Sequence, residues 1–322
     1  MQAIVYRDFG SPDVLRCEEV AKPAPGKGEV LIRVRAAGLN PLDWRLMGAE
    51  PRFLRLLLGL HKVKRPGVDV AGVVEAVGQE VAGLRPGDEV FGACRGALAE
   101  YVCARASHVA GKPANITFEE AAAVPVAGWT ALQALRDHAH VQAGQKVLIN
   151  GAAGGVGTFA VQIAKALGAE VTGVCSGPAV ELVRSIGADP VIDYMQEDFT
   201  RGGRKYDVIL DCVANHSPAE LRRVLAPRGI CVLIGAPKDL GLFAMLGGLI
   251  LLLLQVPFRR QKIVTMMAKR SQADLEFLAG LMQAGKLKPV IDRCCPLAGS
   301  AEALHHLKTM HAHGKVVVTV SG

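Results

Sequence analysis

Apolar residues fall in short, dense runs along this chain. Glu29-Val-Leu-Ile-Arg-Val-Arg35, Val70-Ala-Gly-Val-Val-Glu-Ala-Val77 and Ala99-Glu-Tyr-Val-Cys103 have the length and β-branched content of strands, and Pro-Gly-Asp and Gly-rich turns separate them. Residues 1–120 therefore predict a small β-barrel. From Ala121 to Gly235 the pattern changes to alternation. Val147-Leu148-Ile149, Glu170 to Cys175, Pro190 to Tyr194, Tyr206 to Asp211 and Gly229 to Gly235 read as strands. Between them lie helical repeats, with Phe159, Ile163 and Leu167 on one face and Leu221 to Leu225 on another helix. Unbroken apolar strands are covered on both faces, which predicts a doubly wound parallel sheet. After a helix around Asp274 to Ala284, Pro289 to Asp292 and Lys315 to Val320 return to strand character and complete the first domain. The expected fold is α/β, with one domain over 1–120 and 270–322 and a second over 121–269.

Two stretches depart from this pattern. Leu242 to Phe258 is apolar on all sides and approaches the roughly 20 residues of a membrane span, but Gly247-Gly248, Gln255 and Pro257 interrupt it. A crossing there would put Leu287 to Val320 on the opposite side from residues 1–120, splitting one domain. A buried helical segment at a cleft or a subunit interface is expected, with peripheral membrane contact as the alternative. Pro51 to Arg65 mixes leucines with basic residues and is read as cleft lining rather than as a segment for an anionic surface.

The 322 residues, 50% hydrophobic and 21% charged, exclude a disordered chain and allow about two domains. The formal net charge of +7 comes from scattered Lys and Arg with only 5% aromatics, so it reads as a solvated surface and no nucleic acid is expected. Met1-Gln-Ala-Ile-Val-Tyr6 enters a strand without the basic and apolar regions of an export signal, so a cytoplasmic protein is expected. The eight cysteines contain no C-x-x-C, and Cys294-Cys295 are adjacent, which suits reduced thiols better than a metal site or a disulfide framework.

One turn carries the chemistry. Ala152-Ala153-Gly154-Gly155-Val156-Gly157 follows a buried strand and opens a helix, and it fits G-x-G-x-x-G with Ala in the first place. Gly154 admits a pyrophosphate to the backbone, Gly157 lets helix pack on strand, and the helix N-terminus favours negative charge. A dinucleotide site is the expectation. About 20 residues on, where such sites place an acid for the ribose 2′-hydroxyl, stands Ser176-Gly177-Pro178, with Arg184 one helix away. These suit a 2′-phosphate and so NADPH, although Ser176 as a cap of the helix Val180 to Ile186 is the competing reading.

The chain resembles the zinc-independent quinone oxidoreductase branch of the medium-chain dehydrogenase/reductase family over nearly its full length. The residues that carry the resemblance are Gly38 to Asp43, Pro66 to Gly78, Pro86 to Gly92, Gly96 to Val102, Ala127 to Gln133, Leu287 to Asp292 and His313 to Val318. It implies a GroES-like barrel for the substrate, a Rossmann domain for NADPH, a cleft between them and a homodimer. Asn40 is then the candidate catalytic residue, its amide holding a substrate oxygen or the nicotinamide ribose; an Asn in a turn before Pro41 is the alternative. Cofactor contacts are implied for Thr130, Ala153, Gly154, Gly155, Val156, Tyr194, Gly235, Gly314 and Lys315, with a strand-end core role as the alternative for Tyr194. Where zinc relatives carry ligands this chain has Asn40 and Pro66-Gly67-Val68, so no metal is expected. Without a metal, hydride transfer to a quinone or an α,β-unsaturated carbonyl is the favoured reaction, since it requires mainly orientation. A cofactor-binding, membrane-associated or structural relative with little activity is the alternative. Two departures stand out: Gly177-Pro178-Ala179, where many relatives have Asn or Lys, and Ala214-Asn215, where relatives carry Gly-Gly.

Overall fold

A computed structural model describes residues 1–8, 10–47, 65–234 and 260–320. The stretches 51–64 and 242–258, and Gly235 with them, lie outside the described residues. The chain divides into two units, Met1–Trp129 with Lys269–Gly322, and Thr130–Ala268. The first boundary falls later than the expected 120/121 because the intervening residues belong physically to the first unit. There the helix α2 (Phe118–Ala122) packs on that unit's strands, and the Val126 amide donates to Asp69 Oδ1 at 3.0 Å.

The first unit is built around strand β3 (Glu29–Gly38), which pairs antiparallel with β4 (Asp69–Val77), with β6 (Tyr101–Arg105) along its first half, and with β15 (Lys315–Thr319) along its second. β5 (Glu89–Ala93) and β7 (Val109–Gly111) extend the sheet beyond β4, and β14 (Ile291–Pro296) runs parallel to β15 at the other edge. β1 (Gln2–Val5) and β2 (Arg16–Glu19) form a ribbon, bridged to the rest through Ala3 and Ala99. Alternation drives this arrangement. Val30, Ile32 and Val34 point to one face of β3 and are fully buried with Val70, Val74, Val316 and Val318, each burial stabilising by about 1.5–3 kcal/mol. Helix α7 (Gln272–Gln283) starts at Ser271, whose hydroxyl accepts from the Asp274 amide at 3.1 Å, and its buried Leu275, Leu278 and Met282 follow helical spacing.

The second unit is a six-stranded, all-parallel sheet in the order β10-β9-β8-β11-β12-β13. Its strands are β8 (Lys146–Asn150), β9 (Glu170–Cys175), β10 (Val191–Asp193), β11 (Tyr206–Asp211), β12 (Leu225–Leu233) and β13 (Lys262–Thr265). The helix α4 (Gly155–Ala166) joins β8 to β9, α5 (Val180–Ser185) leads to β10, and α6 (Pro218–Val224) joins β11 to β12. Val147, Leu148 and Ile149 are wholly buried, as strands covered on both faces must be. Chain order reverses between β8 and β11, and in open parallel sheets that is where the strand ends leave room for a ligand.

Candidate functional site

Asn40 sits between β3 and the helix α1 (Pro41–Met47). Its main-chain amide donates to Asp43 Oδ2 at 2.8 Å, and the Asp43 amide donates back to the Asn40 carbonyl at 3.0 Å. The carboxylate of Asp43 thus satisfies the helix entry, and its other oxygen accepts from the Gly67 amide at 3.1 Å. The Asn40 side chain is free of that duty. Its Nδ2 donates to Asp69 Oδ2 at 2.9 Å, and its Oδ1 accepts from Lys315 Nζ at 2.7 Å. The side chain therefore ties β3 to two distant segments and, among the described residues, makes no bond to its own loop.

Lys315 reaches Asn40 because β15 lies beside β3, with Val317 opposite Gly38 and the Leu39 amide donating to the Val316 carbonyl at 2.9 Å. Its ammonium donates to the Leu39 carbonyl at 2.9 Å, to Asn40 Oδ1 and to Asp69 Oδ2 at 3.2 Å. Three donors meet three acceptors. All four side chains are buried, with Asn40 and Asp43 4% exposed, Lys315 3% and Asp69 0%. Burial pushes the Asp69 carboxyl up, with Lys315 pulling it back, and burial pushes the Asp43 carboxyl up to about 6.

Two of the expected cofactor residues have structural duties in this geometry. Lys315 has no hydrogen left for a phosphate, since its ammonium is spent inside the first unit. Gly314 answers to the backbone: with φ at +95°, a Cβ there would stand 2.3 Å from the Val290 carbonyl oxygen. The same site tests the fit of zinc. An ammonium 2.7 Å from the Asn40 oxygen repels a divalent cation, and among the described residues no group of three His, Cys, Asp or Glu could hold a metal. The residues present do not fit a catalytic zinc.

The second unit carries the glycine turn. Gly151, at φ +82°, makes the bend after β8, and Gly154 caps α4 in extended conformation. A Cβ on Gly157 would lie 2.1 Å from the Gly151 carbonyl oxygen, so only hydrogen fits between helix and turn. A Cβ on Gly154 would meet only that same oxygen, at 3.4 Å, which leaves its outer side open to a ligand. The first-turn amides of Gly155, Val156 and Gly157 have no partners within the helix, and the dipole of twelve residues stands behind them. Ala153 is buried beneath the turn. These residues fit a pyrophosphate.

At the neighbouring strand ends Ser176 follows β9 and stands at the N-cap of the 3-10 turn Gly177–Ala179 that runs into α5, but its hydroxyl makes no cap bond. Tyr194 follows β10, half-exposed, its amide donating to the Cys175 carbonyl at 3.0 Å. Arg184 lies on α5, exposed and paired with Glu181 at 2.7 Å, and its charge acts on Cys175 at the end of β9. Thr130 is buried in α3 (Pro125–Gln133), at the start of the second unit. An acid missed by looking along β9 alone comes from the next strand. Asp193, paired with Cys175, lies 3.0 Å from where a Cβ of Gly177 would stand, and it accepts from the Met195 amide and Gln196 Nε2, both at 3.0 Å.

A second missed cluster marks the reversal of strand order. Asn150 ends β8 and Asp211 ends β11, and Asn150 Nδ2 donates to Asp211 Oδ1 at 2.9 Å and to Asn215 Oδ1 at 2.8 Å. The amides of Val213 and Ala214 donate to the same Asp211 oxygen, which holds Ala214 at a φ of +59°. Asp211 Oδ2 is buried with no partner among the described residues. The signal in the sequence was a polar residue closing each of two apolar runs.

Comparison with known proteins agrees with both halves of this description. Residues 26–114 match the alcohol dehydrogenase GroES-like domain family, and residues 186–318 match the zinc-binding dehydrogenase family. A chloroplastic quinone-oxidoreductase of Triphysaria versicolor is 34% identical, covering 99% of this chain and 98% of the relative. A chloroplastic NADPH-dependent alkenal/one oxidoreductase of Arabidopsis thaliana is 36% identical over 99% of this chain and 79% of its own. The crystal structure of Escherichia coli quinone oxidoreductase complexed with NADPH superposes with a TM-score of 0.82 at 25% identity, covering 99% of this chain and 100% of that one.

Proposed function

This chain belongs to the quinone oxidoreductase branch of the medium-chain dehydrogenase/reductase family, and from that premise we propose that it uses NADPH to reduce a quinone or an α,β-unsaturated carbonyl without zinc. A nicotinamide cofactor supplies the hydride. The chain supplies position and charge. The first-turn amides of α4, with Gly154 beneath them, hold the pyrophosphate, and Ser176 with Tyr194 addresses the adenosine phosphate. Asn40 donates its remaining Nδ2 hydrogen to the substrate oxygen, where negative charge grows as hydride arrives, and a donor already fixed in place stabilises that charge without reorganising.

The observation that carries this reading is the Asn40 amide itself, buried, doubly held and still owning one hydrogen without an acceptor among the described residues. An amide NH2 carries two hydrogens, and Asp69 takes only one of them, so the second is available to a ligand. Plain alcohol oxidation is disfavoured by the same site, because no Lewis acid fits beside Lys315 to polarise an alcohol. The proposed setting is the cytoplasm and the proposed assembly a homodimer, as the sequence reading holds. Among the described residues no helix is long and apolar enough to cross a membrane.

NADPH oxidation followed at 340 nm with a panel of quinones, short enals and cyclic enones tests the function. Turnover with at least one of these classes is expected. Tight NADPH binding with no turnover on any of them would replace the enzyme by a cofactor-binding protein.

A further inference from the structure

We propose that Lys315 and Asp69 are positioning residues of the reduction, clamping the Asn40 side chain in one amide orientation so that its second Nδ2 hydrogen meets the substrate oxygen. The proposal rests on the reading of Asn40 given above.

The orientation follows from charge. An ammonium stands 2.7 Å from one end of the amide and a carboxylate oxygen 2.9 Å from the other. Turning the amide over would set its NH2 group against the ammonium and its carbonyl oxygen against the carboxylate. Neither contact makes a hydrogen bond, and in a buried site both repel. The two charges therefore select one rotamer out of two that fill the same space. Asp69 is held in turn, with Oδ1 taking the Val126 amide at 3.0 Å and Oδ2 shared between Asn40 and Lys315.

The ammonium does more than choose the rotamer. Compared with an amide held by Asp69 alone, donation to Oδ1 draws electron density from the amide nitrogen, offsets the density that the carboxylate returns through the other N–H, and so makes the remaining N–H a stronger donor. A strengthened donor matters when charge is developing on the acceptor, which is the transition state and not bound substrate. Loss of Lys315 should thus fall on kcat more than on KM. Burying this pair is costly, and a well-packed apolar replacement is often neutral or stabilising, so stability alone does not explain an ammonium at 3% exposure.

The test is a double-mutant cycle on the full chain, with NADPH and either 1,4-benzoquinone or 3-buten-2-one as probe. Lys315→Met keeps the length and removes the charge. Asp69→Asn keeps the shape but removes the charge and one acceptor, so that an NH2 group must face either the Val126 amide or the Asn40 and Lys315 donors and the hold on Asn40 is loosened. Each is expected to lower kcat by about tenfold with the fluorescence-measured NADPH affinity unchanged within twofold, and neither should lower it further in an Asn40→Ala background. Asp69→Asn carries the test if Lys315→Met does not fold. Additive losses on top of Asn40→Ala, or wild-type kcat in folded Lys315→Met and Asp69→Asn, overturn the proposal while leaving Asn40 its role. Weakened NADPH binding in Lys315→Met returns the lysine to the cofactor and overturns it too. A wild-type rate in Asn40→Ala, or no turnover by the wild-type chain with either probe, removes the reading beneath it and the proposal together.

Discussion

Lys315 Nζ lies 2.7 Å from Asn40 Oδ1 although 275 residues separate them in the chain. The contact exists because the C-terminal strand β15 returns to lie beside β3, the strand that ends just before Asn40. The contact that holds the Asn40 side chain therefore depends on β15 being paired with β3. The expected consequence is that Asn40→Ala lowers kcat roughly tenfold or more, one hydrogen bond of about 1.4 kcal/mol corresponding to that factor. Steady-state rates with circular dichroism as the check on folding decide it, and an unchanged rate in a folded variant removes Asn40 from the reaction.

The cofactor corner predicts a preference. Ser176 offers a hydroxyl that caps nothing, and Tyr194 stands half-exposed at the next strand end. NADPH should bind more tightly than NADH, and Ser176→Asp should invert the order by placing a carboxylate against the 2′-phosphate. Fluorescence titration of both cofactors measures this. Asp193 already stands beside Gly177, so a tighter NADH constant in the wild-type chain would mean that this acid, and not Ser176, reads the ribose.

Asp43 should titrate well above the usual aspartate range. Burial, with the Asp69 charge behind it, pushes its carboxyl from 3.8 to about 6, and the Asn40 and Gly67 amides and Lys315 only partly pull it back. Tyr6 and Cys94 also feel its charge. The folded chain then holds this proton more tightly than the unfolded chain does. Its contribution to stability, about 3 kcal/mol, is complete below pH 3.8 and is lost as pH rises through about 6. Carboxyl carbon NMR of aspartate-labelled protein, assigned with Asp43→Asn, should give a midpoint near 6, and a midpoint at or below 3.8 contradicts the burial argument.

Metal should be irrelevant to turnover. Stoichiometric zinc is not expected in elemental analysis, and activity should survive a chelator, because the Lys315 ammonium 2.7 Å from Asn40 Oδ1 repels a divalent cation there. Zinc at one per chain, with activity lost on chelation, would require Lys315 to move.

How much of this was legible from sequence depended on range. The strand Tyr206–Asp211 was read to the residue, because a buried parallel strand is a dense local signal. β12 begins at Leu225 and not at Gly229, since Leu225 pairs with Tyr206 across an irregularity in register that no local pattern announces. The helix before it starts at Pro218, after a Ser217–Glu220 capping box that the apolar spacing alone did not reveal. The glycine turn was legible for the same local reason. The Asn40–Asp69–Lys315 knot was not, because three distant segments meet only through the sheet. Its trace in the sequence was an acid at the head of an apolar run, Asp69 before Val70, where charge is rare unless paired.

Ala214 offers the last prediction. It sits at φ +59°, a conformation that costs an L residue with a Cβ about 1–2 kcal/mol. What holds it there is Asp211, whose Oδ1 takes the amides of Val213 and Ala214 together with Asn150 Nδ2. Ala214→Gly removes the steric cost and keeps those bonds, against a loss of backbone freedom of about 0.5–1 kcal/mol on folding. The balance favours the variant by up to about 1.5 kcal/mol, read as a higher denaturant midpoint with an unchanged m-value. Asp211→Asn should act in the opposite direction, because an amide oriented to accept from three donors at one oxygen leaves its NH2 buried where Oδ2 already lacks a partner. If Ala214→Gly destabilises the chain, then the methyl packs usefully at that turn and the strain has been overestimated.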